Sequence, residues 1–176
     1  MNERIPTGIV HGRFQPPHNG HIRYILSALQ KTDYLIIGIC TPQICSEEYA
    51  AETGYPCTQA LNPYSYEDRK IMLSQTLDDE SISQSRYTII PFPSDYKDVH
   101  TIIPNETVFL VSHTGDIDSK KIAYLHSIGY MTDIILDTRD TSNESGEKIR
   151  TSIKNNDNIW KDLVPHAVRK YIENKI

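Results

Sequence analysis

A chain of 176 residues, 38% hydrophobic, is long enough for one domain with a full core. Its formal net charge of −5 argues against broad nucleic-acid binding, so a phosphate site would have to be a local cluster of cations. No apolar run reaches the ~20 residues of a membrane-spanning helix, "MNERIPTG" has no secretory apolar stretch, and Cys40, Cys45 and Cys57 suggest no disulfide framework, so a cytoplasmic protein with free thiols is expected.

Ile5, Ile9 and Val10 supply the apolar content of a first short strand. The loop "GRFQPPHNGH" (12–21) follows, stiffened by Pro16 and Pro17, which cannot sit inside a helix but can lead into one. Ile22, Ile25, Leu26 and Leu29 then recur at helical spacing, predicting a helix from about Asn19 to about Lys31. "DYLIIGIC" (33–40) is a near-continuous apolar run of buried-strand type. A long connection over 41–62 is expected to be a lid or an acceptor-binding loop, or else a disordered insertion. "YSYEDRKIMLSQTL" (64–77) predicts a helix with Ile71, Met72 and Leu77 inward. "RYTIIPF" (86–92) and "TVFLVS" (107–112) read as strands. "DSKKIAYLHSIG" (118–129) reads as a helix with Ile122, Leu125 and Ile128 on one face and Gly129 at its C-terminal end. "YMTDIILD" (130–137) is a further strand, "NESGEKIRTSI" (143–153) a short helix, and "PHAVRKYIENK" (165–175) a closing helix with Pro165 at its first position. Alternating strands and helices predict an α/β fold with a doubly wound parallel sheet, whose ligands bind at the carboxyl ends of the strands.

The loop at 12–21 lies at such an end. His18 and His21 are three residues apart at the start of a helix, so both rings can share one face. Unpaired backbone N–H groups and the positive end of the helix dipole lie there, and Arg13 adds a full charge. Together they make an anion site best suited to phosphate. A metal pair lacks an evident third ligand, and capped-helix surface polarity is the ordinary alternative. A second helix start carries cations as well: Ser145 is a suitable cap, with Lys148 and Arg150 in the first turns.

"GRFQPPHNGH" resembles the Gly-Arg-Phe-Gln-Pro and His-X-Gly-His signature of the nucleotidyltransferase superfamily, and is most similar to the archaeal-type nicotinamide mononucleotide adenylyltransferases. The resemblance implies a Rossmann-like fold in a single nucleotidyltransferase domain over residues 1–176. It implies transfer of AMP from ATP to nicotinamide mononucleotide by direct in-line attack. The catalytic residues would be His18, His21, Arg13 and Arg150. ATP would be held by Gly12, Arg13, Phe14, Gln15, Gly20 and His21 from the first signature. "NESGEKIRTSI" resembles the second, Ser-X-Thr-X-X-Arg, and adds Ser145, Gly146 and Arg150. Glu147 stands where the family has Thr; a carboxylate there is expected to turn from the nucleotide and pair with Lys148, Arg150 or Lys154.

"NPYSYEDRKIML" resembles a family segment that places an Arg near the transferred phosphate, here Arg69. "DNIWKDLVPHAVRKYIENK" is similar to the family's C-terminal end, a short helix, a Leu-Val-Pro turn and a last helix. Where the family stacks a Trp on the nicotinamide ring this chain has "SDYKDVHTII", so Tyr96 is the expected stand-in, with His113 as a further acceptor or nucleotide contact. Mg²⁺ is expected to bridge nucleotide phosphates with no dedicated protein metal site. The partners are then ATP and a phosphorylated small molecule, with neither nucleic acid nor membrane, and with homo-oligomers frequent among the relatives. The alternatives are a nucleotidyltransferase using ATP or CTP on another phosphorylated acceptor, and a non-catalytic nucleotide-binding or sensor protein.

Overall fold

Successive side chains of a strand leave on opposite faces, and along the first strand this divides the core in two. The computed structural model describes residues 4–41, 58–93, 98–113, 116–137 and 144–175. In strand β1 (Ile5–Gly12), Ile9 joins Ile36, Phe92, Val99, Phe109 and Leu125 on one face of the sheet. Val10 joins Ile22, Ile25, Leu35, Leu73 and Leu77 on the other. Both are fully buried, as expected for a central strand covered on both sides.

The sheet has five strands in the order β3-β2-β1-β4-β5, with β2 at Thr32–Thr41, β3 at Tyr87–Pro93, β4 at Val108–His113 and β5 at Thr132–Asp137. Every recorded pairing is parallel; Gly8 of β1 is opposite Leu35 of β2 and Val108 of β4. From β1 the chain builds outward through β2 and β3, then returns to β4 and β5 on the other side. The strand order therefore switches between β1 and β4, where doubly wound sheets bind ligands at the carboxyl ends. The doubly wound parallel sheet expected from the sequence is the fold observed.

Helix α1 (Asn19–Lys31) follows β1 and has the predicted bounds. Arg4 and Arg86 both donate to the carbonyls of Leu29 and Thr32 at its C-terminal end, where cations suit the helix dipole. Helix α2 (Tyr66–Asp79) begins at Ser65, whose hydroxyl accepts from the Asp68 N–H at 3.1 Å while the Asp68 carboxylate accepts from the Ser65 N–H at 2.8 Å. This is a reciprocal capping box. Ile71, expected inward, is 38% exposed. The buried stripe of α2 is Asp68, Arg69, Met72, Leu73, Thr76 and Leu77, and three of its places belong to polar residues that an apolar count passes over.

A short helix α3 (Val99–Ile102) leads toward β4. Helix α4 (Asp116–Ser127) buries Leu125 and ends before Gly129, whose φ of +91° is the left-handed conformation that glycine adopts freely. Helices α5 (Gly146–Lys154), α6 (Trp160–Leu163) and α7 (His166–Glu173) complete the described chain. Pro165 is the cap of α7 rather than its first residue. Ile149, Trp160, Val164, Val168 and Ile172 pack with Met72 and Tyr64 in a third cluster that joins α5, α6 and α7 to α2. No helix among the described residues is long and apolar enough to cross a membrane.

Candidate functional site

The loop between β1 and α1 is held rigidly. Phe14 adopts a positive φ of 51°, uncommon for a bulky side chain, and its buried ring meets His21 edge to face, with centroids 4.9 Å apart. Gln15 is buried, and its side-chain amide exchanges two hydrogen bonds with the Tyr64 backbone, at 2.8 and 3.0 Å. Two guanidinium groups secure the loop's carbonyls. Arg69, fully buried, donates from Nη1 to Arg13 O at 2.7 Å and to Cys40 O at 3.1 Å. Arg150 donates from Nη1 to Gln15 O at 2.7 Å. The two signatures, far apart in sequence, thus meet in space.

Proximity has a steric condition. A Cβ on Gly146, the first residue of α5, would stand 2.9 Å from Gln15 O and 2.9 Å from Arg150 Nη1. Ser145 caps α5, accepting from the Lys148 N–H at 3.2 Å. Two helix starts therefore converge on one loop, each offering unpaired N–H groups.

At the head of α1 the rings of His18 and His21 are stacked, with centroids 3.6 Å apart and planes 27° from parallel. The His18 N–H donates to His21 Nδ1 at 3.3 Å. Nδ1 of His21 is therefore an acceptor, and in the neutral ring the proton is on Nε2. His18 is only 8% exposed, and its Nδ1 has no hydrogen-bond partner among the described residues. Burial is the main influence on both rings. It lowers His18 to about 4 against the opposing charge of Glu144, with Arg23 adding to the lowering. It also lowers His21 well below the usual range, helped by His18 and Arg13. Both imidazoles are neutral at pH 7, even with the Glu144 carboxylate beside His18, rather than imidazolium.

Burial and the Arg13 charge likewise lower Arg150, against Glu147. Arg13 thus acts electrostatically on both His21 and Arg150, so its charge belongs to the same cluster. A crowded set of mutually repelling donors at two helix starts is suited to a polyanion.

Among the remaining expected residues, Gly12 and Gly20 lie in this loop and first turn. Glu147 is exposed and makes none of the expected ion pairs with Lys148, Arg150 or Lys154 among the described residues; its influence on Arg150 is through space. The carbonyls of Arg13, Cys40 and Ser65 accept from Arg69, whose side chain lies under the loop. Tyr96 lies outside the described residues, as does most of the 41–62 connection, and His113 is described only through the backbone that ends β4. Sequence reasoning missed Arg23 and Glu144. They form a two-pronged ion pair, Nη2 to Oε2 at 2.6 Å and Nη1 to Oε1 at 3.2 Å, beside His18. They stand 121 positions apart in sequence, and no local pattern links the two. The described residues contain no group of three or more His, Cys, Asp or Glu side chains able to hold a metal.

Comparison with known proteins gives a consistent picture. The chain is 30% identical over 171 residues to the phosphonoformate cytidylyltransferase of Streptomyces viridochromogenes, covering 95% of this chain and 90% of that protein. It is 32% identical over 175 residues to the nicotinamide-nucleotide adenylyltransferase of Saccharolobus solfataricus, covering 96% and 90%. Its fold matches a bifunctional NMN adenylyltransferase/ADP ribose pyrophosphatase from Francisella tularensis with a TM-score of 0.68 at 19% identity, over 97% of this chain. The chain spans about half, 49%, of that protein's length; the same protein has been solved complexed with AMP and a manganese ion. The cytidylyltransferase-like family model matches residues 9–152, taking in the loop, both histidines and Arg150, and on that match the chain belongs to the cytidylyltransferase-like family of nucleotidyltransferases.

Proposed function

We propose that this enzyme transfers AMP from ATP to nicotinamide mononucleotide, giving NAD and pyrophosphate. The observation that carries the reading is the stacked His18–His21 pair at the head of α1, with Arg13 acting electrostatically on both His21 and Arg150. It is supported by the 32% identity to the Saccharolobus adenylyltransferase over nearly the whole of both chains.

An oxygen of the acceptor's 5′-phosphate attacks the α-phosphorus of ATP. The bond from that phosphorus to the bridging oxygen breaks, and pyrophosphate leaves with the electron pair. No protein nucleophile is needed, so the protein's task is positioning and charge stabilisation. His21 donates from Nε2 and His18 from a buried ring, both toward phosphate oxygens whose charge grows in the transition state. Arg13 and Arg150 hold the phosphate tail. Gly12, Phe14, Gln15, Gly20, Ser145 and Gly146 shape the two helix starts that receive it. Arg69 acts through the loop it fastens, while Tyr96 and His113 remain our candidates for the acceptor side.

The cluster's donors are guanidinium and imidazole groups rather than carboxylates, which suits a divalent ion carried in on the phosphates, Mg²⁺ in our reading. Such an ion would supply neutralisation of phosphate charge; the protein residues bind and orient.

A second reading has its own support: cytidylyl transfer to a small phosphonate, as in the Streptomyces relative. One experiment separates the two. Pyrophosphate release is measured for ATP and CTP, each with nicotinamide mononucleotide and with phosphonoformate. We expect turnover with ATP and nicotinamide mononucleotide. Turnover confined to CTP with phosphonoformate would replace our reading with the second, and nucleotide binding without release in any pair would make the chain a binding protein.

A further inference from the structure

Glu144 and Arg23 carry no role in the mechanism above, yet they sit against its centre. Glu144 immediately precedes the cap of α5 and Arg23 lies one turn into α1, its exposed guanidinium reaching back toward the helix start, the direction in which helical side chains lean. The Glu144 side chain is 18% exposed. Its Oε2 stands 3.0 Å from the point where a Cβ on Gly20 would project. Nδ1 and Cε1 of His18 each stand 3.2 Å from that same point. His18 is more than nine-tenths buried, and its Nδ1 is unpartnered among the described residues.

A carboxylate oxygen, a buried imidazole nitrogen without a partner and a guanidinium thus meet over the first turn of a 13-residue helix. A helix start favours an anion, and a carboxylate is the side-chain anion that is ordinarily ionised at neutral pH. Its two oxygens engage the guanidinium as two phosphate oxygens would.

We propose that Glu144 is the resident occupant of a phosphate subsite whose guanidinium is Arg23, and that a nucleotide's phosphate tail displaces Glu144 and takes over Arg23 and His18. The inference rests on the nucleotide reading of this pocket and adds to it a third arginine and an internal competitor. Carboxylate and phosphate cannot share the spot, because two like charges at contact distance repel strongly in a half-buried site. Affinity for the phosphate tail is therefore set by how readily Glu144 leaves.

Calorimetric titration of the whole chain with inorganic pyrophosphate and with ATP tests this without requiring turnover. Glu144→Gln keeps the shape and removes the charge, and should bind both probes about tenfold more tightly. Glu144→Ala should shift affinity in the same direction. Arg23→Gln should bind both about tenfold more weakly, with circular dichroism confirming an intact fold. Unchanged or weaker binding by both Glu144 variants would overturn the proposal while leaving the nucleotide reading in place. Failure of the parent protein to bind pyrophosphate, ATP or CTP would overturn that reading and this proposal with it.

Discussion

Two imidazoles stacked at 3.6 Å cannot both carry protons unless an anion compensates them. An unfolded histidine titrates near 6.5, whereas burial puts His18 at about 4 and His21 also well below its usual range. Between those limits the unfolded chain binds protons that the folded one refuses, so these rings make stability fall as pH drops from about 6.5 toward 4. A bound polyanion reverses the balance, and ATP binding should take up protons. Titrations near pH 6.5 in two buffers of different ionisation enthalpy should give different observed heats, and identical heats would show that the rings stay neutral. His21→Ala should lower kcat by roughly a hundredfold; turnover at the parent rate would remove His21 from catalysis. Arg13 and Arg150 act on the same electrostatic spot, so single Ala variants should weaken ATP binding non-additively in a double-mutant cycle. Additive losses would mean that the two guanidiniums serve separate phosphates.

The elements matter because the pocket exists only while α5 lies against the loop. Gly146 permits this, since a methyl group there would come within 2.9 Å of Gln15 O. Alanine is the better helix former, so Gly146→Ala would favour α5 on propensity alone. We expect instead a lower Tm and a loss of ATP affinity of about tenfold or more; a variant that binds like the parent would show that the helix can retreat without harm. Much of this layer was legible beforehand. Apolar runs located all five strands, and the spacing of Ile22, Ile25 and Leu29 gave α1 its bounds. The inward face of α2 was misread at Ile71, because Arg69 is buried by hydrogen bonding to three carbonyls rather than by hydrophobicity. The histidine pair was legible because its spacing is local. The Arg150–Gln15 contact could be anticipated only through family resemblance, and Glu144–Arg23 not at all, since charged residues on unrelated elements carry no periodic signal.

Across the whole molecule, Asp68 ties the C-terminal helix to the site. Its carboxylate accepts from Tyr171 Oη and Lys175 Nζ, both at 2.6 Å, and from the Ser65 N–H. Burial opposes ionisation, but the hydrogen bonds from Lys175, Tyr171 and Ser65 prevail and hold the carboxyl below the usual carboxylate range. The stabilisation is therefore complete above about pH 4, near the unfolded value, and is lost as pH falls through the lower folded one. Asp68→Asn should cost about 1–3 kcal/mol at pH 7 and somewhat less at pH 3, where the unfolded carboxyl is mostly protonated but the folded one still ionised, as read by urea unfolding; an equal loss at both would point to shape rather than charge. Arg69 is the next residue on α2, so the clasp also steadies the loop at 13–15. The meeting of Gly146 and Arg150 with that loop has a consequence for biosynthesis. A chain still being made has the loop and its histidines well before the wall formed by residues 144–150. Nucleotide in the cell would therefore give a growing chain no protection from proteases. Once α5 has been made and docks, a ligand at a hundred times its Kd would add about 2.7 kcal/mol, and only to chains in which that wall is in place.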